Sequence, residues 1–212
     1  MKKVILPLFG FLFLYISGCC KKCELSFDDA ELVHVNYDLD GGNQRTFENS
    51  KGEQIVVKLG NLDVQNNGKT CGGFGSPDDN FCSINAVRQF MTSGNIDDLE
   101  VTLTKSNEVG FDDQLRVEIH MGKTNIYVLF DGQTVSQSTL NELELFTING
   151  TTYNDVLSYF FNPNDDCKNP GSSICVEANE VVAVKFSLSA GLLQFELHKG
   201  LQEPNEVYTA VA

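Results

Sequence analysis

The sequence contains no tryptophan, five prolines, three histidines and only 15 basic residues in 212. Each scarcity removes a class of function. With 29 acidic residues the formal net charge is −14, and a body this acidic repels a phosphate backbone, so nucleic acid is excluded as a partner. The same imbalance disfavours spreading over an anionic bilayer. Without tryptophan, the strongest stacking platform for sugar rings is missing. With three histidines and no H-E-x-x-H, no metalloprotease pattern is present. A G-x-S-x-G turn is missing as well, so the common acyl-transfer nucleophile has no candidate. Asn67-Gly68-Lys69-Thr70 echoes the end of a phosphate loop, but Asp63 stands where the leading glycine belongs and Cys71-Gly72-Gly73 follows where a helix is needed. Sustained helical periodicity is nearly absent.

What is present begins with an address. Met1-Lys2-Lys3 forms a basic start, and Val4 to Ile16 is uncharged and mostly Leu, Phe and Ile. Such a run suits the core of a secretion signal and is too short for a helix crossing about 30 Å of hydrocarbon. Ile16-Ser17-Gly18-Cys19 then resembles the lipobox of bacterial lipoproteins: an aliphatic residue, two small residues and the cysteine that becomes residue one. The resemblance implies removal of residues 1–18, a diacylglyceryl thioether on Cys19 and acylation of its amine by chains of the palmitate kind. Several acyl chains give the stable bilayer anchoring that one cannot. Cys20 follows where aspartate signals retention at the inner membrane, so the expected location is the outer membrane, on its periplasmic side or at the cell surface. Residues 19–26 read as a lipidated tether, and 27–212 as a single domain.

Seven cysteines in such a chain point to an oxidising compartment. With Cys19 lipidated, six remain: Cys20, Cys23, Cys71, Cys82, Cys167 and Cys175. Six allow 15 pairings, among which proximity in sequence favours Cys71 with Cys82 and Cys167 with Cys175. Cys20-Lys21-Lys22-Cys23 is formally C-x-x-C. It lacks the strand-to-helix setting that depresses a thiol pKa, and it lacks a second ligand pair for zinc.

The body alternates apolar and polar residues. Glu31–Leu39, Gln54–Leu59, Leu99–Thr104, Leu115–Met121, Asn125–Phe130, Leu143–Ile148, Tyr153–Phe160, Val181–Leu188, Leu193–Leu197 and Val207–Val211 all read as strands. Asn149-Gly150 marks a hairpin between two of them. Ile84, Val87, Phe90 and Met91 fall at helical spacing and predict one short helix over 84–91. The expected fold is all-β: an antiparallel β-sandwich or a curved, partly closed barrel of about ten strands. Alternation places all three histidines on polar faces. The stretch Ile148-Asn149-Gly150 with Tyr153 and Val156, and the later Ser187 to Phe195 with its Gly191-Leu192, resemble the closing hairpins of small Bacteroidota lipoproteins. That resemblance, over roughly the last third of the chain, implies class and location and no activity.

Two weak sites remain. Asn36, Asp38 and Asp40 before Gly41 match the opening of a calcium loop, but Phe47 occupies the position of the bidentate glutamate. A strand end with a Gly-Gly turn explains the same residues. Tyr127, Tyr153 and Tyr159 are candidate sugar-stacking groups, although tyrosines on strands more often pack half-buried. The expected function is a membrane-anchored, non-catalytic β-domain in a structural or protein-interaction role. The alternative is binding of a glycan or small ligand in the cell envelope. No cofactor beyond that weak calcium site is implied. The partners expected are the bilayer through Cys19 and an envelope protein or glycan.

Overall fold

A computed structural model describes residues 25–37, 39, 42–68, 82–94, 96–106, 114–131, 134–135, 143–161, 176–200 and 203–211. Residues 1–18, Cys19, Cys20, Cys23, Cys71, Cys167, Cys175, Asp38 and Asp40 lie outside these residues, as does the side chain of Cys82.

Among the described residues, twelve strands form one antiparallel sheet. They are β1 (Gln44–Glu48), β2 (Gln54–Gly68), β3 (Cys82–Thr92), β4 (Leu99–Ser106), β5 (Gln114–Met121), β6 (Thr124–Asp131), β7 (Thr134–Val135), β8 (Glu144–Ile148), β9 (Thr151–Phe160), β10 (Val181–Ser187), β11 (Gly191–Leu197) and β12 (Glu206–Ala210). Their spatial order is β7-β6-β5-β4-β3-β2-β1-β12-β11-β10-β9-β8. The chain therefore meanders outward from β1 to β7 and back from β8 to β12. The β1–β12 pair, with Phe47 opposite Ala210, joins the two meanders. The two outermost strands, β7 and β8, are neighbours in sequence. Of the two expected architectures, the curved, partly closed barrel is the one formed.

Alternation explains the curl. Leu99, Val101 and Leu103 of β4, Val117, Ile119 and Met121 of β5, and Ile126, Val128 and Phe130 of β6 all face the interior. Glu100, Arg116, Glu118 and His120 occupy the opposite phase and reach solvent. An apolar interior with a charged exterior is the inverse of a membrane-spanning barrel.

Two expectations fail locally. The segment 84–91 is not a helix; it is the middle of β3. Ile84, Ala86 and Phe90 are buried in one phase of the strand, and Arg88 sits in the same phase. An arginine among the inward residues hides the period of two. It is tolerated because its guanidinium donates to the carbonyls of Val35 (3.1 Å) and Gly60 (2.9 Å) and to the Asn36 side chain. Glu31–Leu39 is likewise not a strand. Asp28 and Glu31 form a reciprocal cap, with Asp28 Oδ1 accepting from the Glu31 amide at 2.8 Å and Glu31 Oε2 from the Asp28 amide at 2.9 Å. This cap starts a helical turn, α1 (Asp29–Leu32), which runs into a 3-10 turn at Val33–Val35. Lys105 ties α1 to β4 through Glu31 at 2.7 Å.

The chain then enters the concavity. Val35, Tyr37 and Leu39 are buried in the main core. The Tyr37 ring lies edge-on to Phe186 of β10 (5.3 Å, 88°) and 5.9 Å from Phe90 of β3, so it bridges the two meanders. Gly191 turns at φ +80 with its α-carbon face against this ring, where a Cβ would stand 3.3 Å from it. At the other end the meanders touch through the β5–β6 turn. Lys123 donates its amide to the Val181 carbonyl at 3.0 Å and ion-pairs with Glu180 at 3.1 Å. Gly122, at φ +57, lies so close that a Cβ would stand within 3 Å of Asp97 and of the Val181 backbone.

Candidate functional site

A filled interior moves the search to the surface, where two depressions stand out. The first lies on the outer face of β9, β10 and β11. Cross-strand pairing aligns Ser158, Lys185, Gln194 and Thr209 in one row, and Phe160, Ala183, Glu196 and Val207 in the next. The rows bound a groove of about 280 Å³ lined by Ser158, Tyr159, Phe160, Lys185, Gln194 and Glu196. Phe160 is 57% exposed. The alternation that buries Leu157 on one side of β9 sends Ser158 and Phe160 to the other.

The polar end of this groove is a three-group cluster. Glu144 of β8 accepts hydrogen bonds from both Lys185 and Ser158, and Lys185 Nζ stands 2.9 Å from Ser158 Oγ. Lys185 also lies 5.0 Å above the Phe146 ring. Hydrogen bonds from Lys185 and then Ser158 hold the Glu144 carboxyl below its ordinary range. A nucleophilic Ser–Lys pair needs a neutral amine able to take the hydroxyl proton. Here the amine is ion-paired to a carboxylate, and the hydroxyl is committed to that carboxylate. The three groups form a hydrogen-bonded, charged cluster at the end of the groove.

The second depression, about 470 Å³, opens at the mouth of the curl between the β1–β2, β3–β4 and β11–β12 turns. It is lined by Gln54, Ile55, Ser93, Asn179, Lys199 and Tyr208. Behind it, Glu206 binds both Lys51 and Lys199, the latter at 2.9 Å. The Tyr208 hydroxyl accepts from Asn49 at 3.2 Å and lies 3.4 Å from both Glu53 and Glu206. Burial first, and those carboxylates second, push its pKa up to about 12. Tyr208 therefore stays a neutral hydrogen-bonding group near neutral pH.

Among the described residues, the three candidate tyrosines are not brought together. Tyr127 lies on β6 beneath the Arg116 guanidinium at 5.1 Å, while Tyr153 and Tyr159 are half-buried against the core from opposite ends of β9. Only Tyr159 borders the groove. Asn36 is exposed, with its side-chain oxygen taken by the Arg88 guanidinium. Among the described residues no three His, Cys, Asp or Glu side chains gather as a metal site. The histidines also differ from expectation. His120 is exposed, but His198 is buried with Nδ1 3.1 Å from Asn205 Oδ1, and the His34 ring lies 4.2 Å from Phe130. Burial lowers the His34 pKa, against a smaller upward pull from Glu31.

The residues that sequence reasoning missed are Phe160, Lys185 and Glu144. The available signal was the cross-strand row: an aromatic on the polar phase of β9 next to a lysine on the polar phase of β10. It becomes readable only when the register is known. Comparison with family models, with curated proteins and with solved structures returns no match.

Proposed function

We propose that this chain is a lipid-anchored protein of the bacterial outer membrane whose β-domain has a structural or protein-interaction role without catalysis. One observation carries the non-catalytic half of this reading: the concavity of the curled sheet is filled by the chain's own segment, Val35, Tyr37 and Leu39, so the place where a barrel of this kind holds a substrate is occupied by core. The anchoring half rests on the lipobox ending at Cys19. Cys19→Ser, expressed beside the native chain with an alkyne-tagged fatty acid, is expected to lose both acyl label and membrane sedimentation. A variant that loses label and still sediments with membranes contradicts lipid anchoring.

The groove on β9–β11 favours a second reading, a glycan or small-ligand binder, because exposed Phe160 stands beside Lys185, Gln194 and Glu196. Titration calorimetry with neutral linear oligosaccharides distinguishes the two. Saturable binding lost in Phe160→Ala supports the ligand reading, and no heat at millimolar sugar removes it.

A further inference from the structure

We propose that the distal half of β2 is a pairing edge for a second copy of this chain. β1 covers β2 only from Gln54 to Lys58. The cover ends at a bulge between Leu59 and Leu62, where the Leu59 amide donates to the Asn43 carbonyl at 2.7 Å and Arg88 caps the Gly60 carbonyl. From there β2 continues to Gly68 with β3 as its only strand neighbour among the described residues. Along such an edge, alternate residues turn their N–H and C=O groups away from the sheet, which is a template for another strand. Asn61, Asp63, Val64, Gln65 and Asn66 are all exposed.

Edges are normally guarded by lysine, proline or a very short length. Between Leu59 and Gly68 there is no lysine, arginine or proline, and Asp63 is the one charge. In a chain with 29 acidic residues this stretch is the least repulsive kind of surface for a like copy.

The sequence also selects the partner. An antiparallel copy related by a two-fold axis through Val64 sets Val64 opposite Val64, Asp63 opposite Gln65 and Leu62 opposite Asn66. Carboxylate and amide then meet twice by symmetry. Within one chain Gln65 already donates to Asp63 at 2.6 Å, so these side chains reach each other. A register centred on Asp63 would oppose two carboxylates and is disfavoured. Salt should strengthen the dimer by screening the repulsion between two acidic bodies.

This inference concerns the partner within the interaction role proposed above, and its test is separate from that of anchoring. Sedimentation velocity of the mature protein in detergent is expected to show a monomer–dimer equilibrium that shifts toward dimer with added salt. Val64→Lys places two ammonium groups face to face and should weaken the dimer at least roughly tenfold. Val64 is 49% exposed, so the melting temperature should stay unchanged. Gln65→Lys sets a lysine against Asp63 of the second copy and should tighten the dimer about threefold. Met91→Lys, at a residue 50% exposed near the other end of β3, should change nothing. A monomer at every concentration and salt overturns the proposal, as does a dimer unaffected by Val64→Lys or weakened by Gln65→Lys. Loss of acyl label in Cys19→Ser is independent of all these outcomes.

Discussion

The outward meander and the returning one are built differently. In β4, β5 and β6 the pairing runs without register shifts, and from Leu99 to Leu129 of these strands inward apolar residues alternate with described ones that reach solvent. In β10 the register shifts twice, between Val181 and Ala183 and between Lys185 and Phe186. There Val181 and Val182 are both buried, as are Leu192 and Leu193 of β11. Val156, Val182 and Leu193 are shut from solvent yet stand outside the main core cluster. β4–β6 thus form a one-sided sheet with water behind it, whereas β9–β11 also bury apolar residues outside the main core. Bulges make this possible by letting neighbouring residues escape strict alternation. The regular run β4–β6 closes over the core, and the irregular run β9–β11 carries the groove and its Glu144–Lys185–Ser158 cluster.

Removing what bridges the halves should cost most. Tyr37→Ala deletes the ring between Phe90 and Phe186 and should destabilise by about 3–5 kcal/mol, read as a lower urea midpoint. Leu193→Ala sharpens the contrast. Leu193 is buried outside the main core, so the truncation should cost about 2–4 kcal/mol, as in an ordinary core. Gly122→Ala attacks the closure between the halves. With φ +57 and the Val181 backbone within 3 Å, it should cost about 1–3 kcal/mol and raise amide exchange around Val181. Glu118→Ala, on the solvent face of β5, should stay within about 0.5 kcal/mol.

The smallest effects are those of pH. Hydrogen bonds hold the carboxyls of Glu144 and Glu206 below their ordinary range in the folded state, so the unfolded chain takes up their protons first as pH falls. Their contribution is complete above the unfolded value of about 4.3 and is lost below it. His34 is also depressed, by burial beside Phe130; its share is present above about 6.5 and fades as pH falls toward its folded value. Urea midpoints should fall in two steps between pH 7 and 3. Glu144→Gln and Glu206→Gln should flatten the lower step, and His34→Phe the upper.

The same contrast governs how much was legible. Leu115–Met121 and Leu99–Thr104 are readable because one face meets core and the other water, which is what period two reports. Ile84–Met91 is not, because Arg88 occupies an inward position whose partners, Val35 and Gly60, are remote in sequence. Glu31–Leu39 is half legible. Val35, Tyr37 and Leu39 are buried as alternation implies, but Asp28 and Glu31 carry a helix-start signal that the alternation masked. The short β1 was missed because Gln44–Glu48 presents Arg45 in its inward phase. That arginine is satisfied by the carbonyls of Ala190 and Leu192, both at 2.8 Å, from the far end of the chain. The groove was invisible for a similar reason: Glu144, Ser158 and Lys185 lie on three strands and meet only through register.

The central claim is that the concavity of the curled sheet is filled by core side chains, Val35, Tyr37 and Leu39 among them. Binding of a small apolar ligand such as benzene to the folded protein tests it most directly. The account predicts no saturable binding by the native chain, and a new site in Tyr37→Ala, where the lost ring leaves an apolar cavity between Phe90 and Phe186. Stoichiometric, saturable binding by the folded native chain, unchanged by Tyr37→Ala, would contradict it.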